Sequence, residues 1–334
     1  MNMPRAGSSG PGKKERIPMK KPIAFLAALA LLLTCGCGAQ KAEPTTAPDA
    51  TSTDAATETP TAEQVDFQFT LDNYPRMGGS LANLPLGEAV TASVLGITRD
   101  EADELITFAG STTDNYKAIV DGGFDILLAY EPSEEAKQYI KDKNTELEMT
   151  PIGVDALVFI CSLENEVQSL TIDQIKEIYR GKTTNWSEVG GADHDILAYQ
   201  RNKDSGSQTL FDKLIDLGDE LMNPPSDMIV GSMIGLLEAV ADYDDSEDAL
   251  GYTVYYYLTN METDKLKTSK ILDVNGVTPD NESIGSGEYP LTNDFYAVIR
   301  KDAPKNSPER ILYNWICSDQ GHELVVRENY PTRK

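Results

Sequence analysis

From Val65 onward the sequence alternates short strand-type runs with capped helices, which restricts the chain to α/β architectures. The segments "DILLAY" (125–130), "DALVFIC" (155–161), "DILAYQ" (195–200), "ALGYTVYYY" (249–257) and "DFYAVI" (294–299) are apolar or alternating runs of strand type. Helix starts fall between them. Thr98 with Glu101 and Thr171 with Gln174 form capping boxes, Gly181 closes the second of these helices, and Ser307 precedes Pro308 at the tolerated first helical position. With 334 residues the chain is long enough for two lobes, and it shows no internal repeat.

The first 64 residues do not share this pattern. Residues 19–37, "MKKPIAFLAALALLLTCGC", have the basic start, apolar run (Ile23 to Leu33) and small-residue exit of a secretory signal, and the run is too short to span a membrane. Residues 1–36 are expected to be removed, with Met19 as an alternative start. The exit resembles the lipobox of bacterial lipoproteins, which marks Cys37, behind Gly36, for acylation. From Lys41 to Gln64 no aromatic residue and no aliphatic residue larger than alanine occurs, so residues 37–64 are expected to be a lipidated, disordered tether. Export implies an oxidising setting, yet Cys161 and Cys317 both lie in apolar runs and read as unpaired core residues.

Charge and motifs exclude several functions. A formal net charge of -25 argues against nucleic acid as a partner. "YRGKTTNW" imitates the end of a phosphate-binding P-loop, but its glycine ends a helix and Lys176 stands where the pattern needs glycine. No G-x-S-x-G elbow is present, and with two histidines neither a Ser-His hydrolase nor a metal centre is indicated, so no cofactor is expected.

One kind of local signal recurs. In "YQRNKDSGSQTLFDKLIDLG" (199–218) a turn of small residues feeds an amphipathic helix, and Arg201 stands just upstream. The first amides of a helix have no partner within it and carry the positive end of its dipole, so such a turn can seat an anion. "GGSLANLP" (78–85) and "FAGSTTDNYKAIVDGGFDI" (108–126) have the same character, with helices expected near Leu86 and after Thr113. Each alone reads equally as an ordinary cap, with Arg201 in solvent. Together they could form a cage of amide and hydroxyl donors suited to a tetrahedral oxyanion.

Residues from about Asp72 to Thr332 resemble the phosphate-binding proteins of bacterial ABC importers, in particular the substrate-binding lipoproteins of Gram-positive bacteria. The stretches that carry the resemblance are "MGGSLANLPLGEAV", "LTIDQIKEIYRGKTTNWSEVGG", "QRNKDSGSQT", "ALGYTVYYY" and "SGEYPLTNDFYAVIR". It implies a two-lobed periplasmic-binding-protein type II fold with crossing hinge strands, residues 65–154 and 296–334 in one lobe and 155–295 in the other. The implied ligand is inorganic phosphate or a similar oxyanion, held by Ser80, Thr112, Thr113, Arg201, Ser205, Gly206 and Ser207. The family's phosphate receptors carry a carboxylate after the strand that matches "DILLAY". Here Tyr130 holds that position and Glu131 follows, so Glu131, with Asp204 second, is the expected reader of a ligand proton. The implied partners are ABC permease subunits and, through the lipid anchor, the outer face of the cell membrane. Rival readings are the same fold with another oxyanion, a surface phosphatase or hydrolase, and a signalling or adhesion module that has lost its ligand. The tyrosine-rich end of "ALGYTVYYY" is expected to continue the strand.

Overall fold

The computed structural model describes residues 67–241 and 248–334; the signal segment, Cys37 and the tether lie outside the described residues. The chain opens with β1 (Met77–Gly79), a 3-10 turn (Leu81–Asn83), α1 (Leu84–Leu95), α2 (Arg99–Asp103) and α3 (Thr112–Val120). It continues through β2 (Ile126–Ala129), α4 (Glu134–Asp142), the long β3 (Leu147–Ser162), β4 (Ser169–Leu170) and α5 (Ile172–Tyr179). Next come β5 (Leu197–Ala198), β6 (Gln200–Arg201), α6 (Gly206–Ile215), β7 (Ile229–Val230), α7 (Met233–Ala241) and β8 (Ala249–Val254). The chain closes with β9 (Ser269–Val274), α8 (Asn281–Ser286), β10 (Thr292–Arg300), α9 (Pro308–Ile316) and α10 (Asp319–Arg327).

The anticipated helix starts are present. Thr98 and Thr171 each accept from the third helical amide while Glu101 and Gln174 reach back to the capping amide, and Gly181 turns at φ +73°. Helix α1 begins at Leu84, ahead of the anticipated Leu86, with Pro85 in its first turn. Cys161 and Cys317 are free thiols.

Strand β3 connects two regions of sheet. Its first part, Leu147 to Ala156, pairs antiparallel with β10, which in turn pairs with β2, and β2 lies parallel to β1. Its last part, from Leu157, pairs with β8 and β9, and β8 carries β5. The strand is fully buried from Ile152 to Ser162, consistent with cover on both faces. The chain passes between the two regions a second time just ahead of β10, where the Leu157 amide donates to Leu291 O at 2.9 Å. After β10 the C-terminal helices return to the first region: Thr150 Oγ1 meets Tyr313 Oη at 2.6 Å, and Tyr330 Oη donates to Ala82 O at 2.7 Å. Two α/β lobes thus share a pair of crossing strands.

The strand expected to run through Tyr257 stops at Val254, and a π-helical turn follows over Tyr257–Met261. The Tyr256 amide donates at 3.1 Å to Oδ1 of Asp155, and its ring stacks on Tyr330, so the backbone leaves the ladder there. "DILAYQ" is likewise divided: β5 pairs with β8, and β6 pairs with β7.

Candidate anion-binding site

Four helix beginnings meet around a cavity of about 400 Å³ between the lobes. Ser80, Leu81 and Ala82 come from the turn before α1, and Gly110, Ser111 and Thr112 from the start of α3. The second lobe contributes Ser205, Gly206 and Ser207 at the start of α6 and Gly231, Ser232 and Met233 at the start of α7. Arg201, Asn202, Tyr130 and Val254 complete the lining, in which no Asp, Glu, His or Cys occurs among the described residues. The positive ends of the helices therefore face one another without a compensating acid among the described residues.

The first-lobe part is tied to the end of β2. A Cβ on Gly79 would lie 2.0 Å from Leu128 O, so only glycine lets β1 run this close to β2 and deliver Ser80 to the rim. The Ser80 amide donates to Leu128 O at 3.0 Å, Asn115 Nδ2 to Gly79 O at 2.8 Å and Asn83 Nδ2 to Leu128 O at 3.1 Å. Ser80 Oγ then lies 3.3 Å from Thr112 Oγ1 and accepts from the Tyr130 amide at 3.3 Å.

The Ser205 turn is a helix cap, as its sequence suggested. Ser205 Oγ caps α6 by accepting from the Gln208 amide at 3.1 Å, which leaves its hydrogen free to donate. The same holds for Ser232 Oγ, which accepts from the Gly235 amide at 3.1 Å, and for Ser207 Oγ, which accepts from Arg201 Nη1 at 3.0 Å. Ser111 differs, because its hydrogen is spent on Asp114 Oδ2 at 2.8 Å.

Arg201 is buried at 7% exposure rather than solvated. Its amide donates to Gln208 Oε1 at 3.1 Å and Tyr252 Oη at 3.0 Å, its Nε to Val230 O at 3.0 Å and its Nη2 to Gly231 O at 3.4 Å. These contacts aim the guanidinium, yet among the described residues no carboxylate forms an ion pair with it. Burial accordingly lowers its affinity for the proton, against smaller opposing effects of Tyr252 and Tyr257. A buried cation without a counterion is costly, and an incoming anion relieves that cost.

Of the residues anticipated from the sequence, Ser80, Thr112, Arg201, Ser205, Gly206 and Ser207 line this cavity together. Thr113, Glu131 and Asp204 do not. Thr113 Oγ1 is paired with Ser133 Oγ at 2.7 Å, on the side facing α4. Glu131 accepts from Lys213 Nζ at 2.8 Å and Tyr296 Oη at 3.1 Å; burial raises its carboxyl, but Lys213, Tyr296 and Lys137 together outweigh burial and hold it below the usual range. Asp204 is exposed. Glu131 and Asp204 instead line a larger opening of about 870 Å³, with Glu134, Glu135, Asp212, Asp216 and Asp219, where acids outnumber bases and an anion is disfavoured.

Helix α7, Asn202 and Tyr130 line the cavity without having been expected to hold the ligand. "GSMIGLLEAV" (231–240) carries the same small-residue turn before an apolar run as the other three stretches, so a signal for α7 existed. Tyr130 was marked only by standing where the family carries its carboxylate; its link to Asp155, 25 residues away, whose Oδ2 accepts from Tyr130 Oη at 2.7 Å, had no local signal.

Asp155 is completely buried, and burial pushes its carboxyl up to about 6 from 3.8 despite hydrogen bonds from Tyr130 and from the amides of Ala156 and Tyr256. The folded protein holds this proton more tightly than the unfolded chain. The group's contribution therefore becomes more favourable as pH falls through the window from about 6 to 4, and its full cost, on the order of 3 kcal/mol, is present above it. Relative to wild type, Asp155→Asn is expected to gain about that much stability to urea between pH 4 and pH 8. A difference independent of pH would contradict this account.

Two α/β lobes on crossing strands, with a cavity between them, define a type II periplasmic-binding-protein fold. The model of the PBP superfamily domain matches residues 96–316, and the chain belongs to that superfamily. It is 26% identical over 261 residues to the phosphate-binding protein PstS of Bacillus subtilis (strain 168), covering 75% of this chain and 80% of that protein. It is 27% identical over 232 residues to the protein of the same name from Staphylococcus aureus (strain USA300), covering 67% and 68%. Among solved structures, a Clostridium perfringens ABC transporter substrate-binding protein with bound phosphate superposes with a TM-score of 0.62 at 25% identity, over 78% of this chain and all of that one. An ABC-type phosphate transport receptor from Vibrio cholerae shares the fold, with a TM-score of 0.56 at 21% identity over 76% and 98% of the two chains.

Proposed function

We propose that this protein captures inorganic phosphate between its lobes and presents it to the permease of an ABC importer, held at the outer face of the cell membrane by a lipid on Cys37. The observation that carries the phosphate reading is Arg201, a buried cation with no ion-pair partner among the described residues, in a cavity rimmed by four helix N-termini. The names of the relatives in Bacillus and Staphylococcus and the bound phosphate of the Clostridium neighbour support the same ligand. Like those relatives, the chain is a binding protein and not an enzyme. Arg201 neutralises charge, while Ser80, Thr112, Ser205, Ser207 and Ser232, with the first amides of α6, supply hydrogen bonds.

Calorimetric titration with phosphate tests this reading. Saturable one-to-one binding is expected, and the absence of binding would refute it. The anchor rests on the signal-like run ending at Cys37 and the composition of residues 41–64. Cys37→Ser is expected to release the protein into the medium; retention on the membrane would refute lipidation at that residue.

A further inference from the structure

Among the described residues no carboxylate lines the cavity, so a group there that senses a ligand's protonation acts without being an ionised acid. Hydrogenphosphate carries a hydrogen that it can donate, whereas sulfate at neutral pH can only accept. Most lining groups cannot tell the two apart. Arg201 and the helix amides donate to either, and serine and threonine hydroxyls rotate to suit. Asn202 Oδ1 is buried without a partner among the described residues, but its amide can turn to present NH₂ instead.

Tyr130 is different, because its polarity is fixed. The hydroxyl donates to Asp155 Oδ2 at 2.7 Å, while Oδ1 accepts the amides of Ala156 at 2.7 Å and Tyr256 at 3.1 Å. An ionised carboxylate can only accept, so the one hydrogen of Tyr130 is committed to Asp155. Any further partner of Tyr130 Oη must then be a donor. Tyr130 lines the cavity, with its ring beside Gly206.

We propose that Tyr130, with its hydroxyl polarised by Asp155, distinguishes protonated from unprotonated oxyanions, accepting the hydrogen of hydrogenphosphate and presenting only lone pairs to sulfate. This rests on the phosphate reading and assigns the specificity of that same site. Tyr130 is the contact residue. Asp155 is a positioning residue, sensing the ligand's charge state through the tyrosine. Selectivity then arises as much from repulsion of sulfate as from attraction of phosphate.

Competition binding of phosphate and sulfate at pH 8 to wild type, Tyr130→Phe and Asp155→Asn provides the test. Wild type is expected to prefer phosphate, and each variant to lower the phosphate-to-sulfate ratio by roughly tenfold, the scale of one hydrogen bond. The two variants act in different ways. Tyr130→Phe removes the acceptor and weakens phosphate. Asp155→Asn lets the new amide donate to Tyr130 Oη, so that the tyrosine hydrogen turns to the cavity and sulfate binds more tightly. A packing defect would weaken both anions together and leave the ratio unchanged. A folded Tyr130→Phe protein with the wild-type ratio overturns the proposal whatever Asp155→Asn does, including failing to fold. Wild type that binds no phosphate would overturn the functional reading and this inference with it, whereas phosphate binding with an unaltered ratio in Tyr130→Phe overturns the inference alone.

Discussion

Arg201→Ala is expected to weaken phosphate binding by roughly 10- to 150-fold, because a charge-assisted hydrogen bond contributes about 1.5–3 kcal/mol. The guanidinium is buried and oriented before any ligand arrives: Nε is held by Val230 O and Nη1 by Ser207 Oγ, each at 3.0 Å. No side-chain reorganisation then opposes binding, and the anion replaces a missing counterion. Arg201→Lys should restore only part of the loss, since an ammonium cannot reproduce the planar fork. Unchanged affinity in a folded Arg201→Ala protein, measured by calorimetry, would remove Arg201 from the site.

The second large effect is expected at Gly206, which faces Thr112 of the other lobe across the cavity. A Cβ there would lie 2.6 Å from Thr112 Oγ1 on the opposite lobe, so Gly206→Ala opposes the approach of α6 to α3. Overpacking of this kind costs about 1–3 kcal/mol, which corresponds to a loss of affinity of roughly 5- to 150-fold. The backbone of α6 itself accepts alanine well, and the melting temperature of the ligand-free protein should change little. Small-angle scattering should show the variant remaining more open than wild type at saturating phosphate. Wild-type affinity together with wild-type compaction would show that the bound lobes do not meet at Gly206.

The parts of this structure that were legible in the sequence depend on local chemistry. Thr98 with Glu101 and Thr171 with Gln174 are complete capping signals within four residues, and both form. The Ser205 turn likewise carries its own evidence of a helix start, and Gly231-Ser232 repeats it ahead of α7. Whether such starts share one cavity is a tertiary property, suggested only by their recurrence. The end of β8 was not legible, because the acceptor that draws the Tyr256 amide off the ladder is Asp155, 101 residues earlier. Glu131 was misdirecting for the same reason. Its position after β2 suggested a ligand contact, but Lys213, 82 residues later, holds its carboxylate in the neighbouring opening.

The central claim is that one tetrahedral anion sits between the lobes against Arg201, and the position of arsenate, a heavier analogue of phosphate, tests it most directly. Anomalous diffraction from crystals grown with arsenate should show a single strong peak in the cavity lined by Ser80, Thr112, Arg201, Ser205 and Ser232, within hydrogen-bond reach, about 3 Å, of its donors. A peak in the acidic opening beside Glu131 and Asp212, or no peak at saturating arsenate, would contradict it.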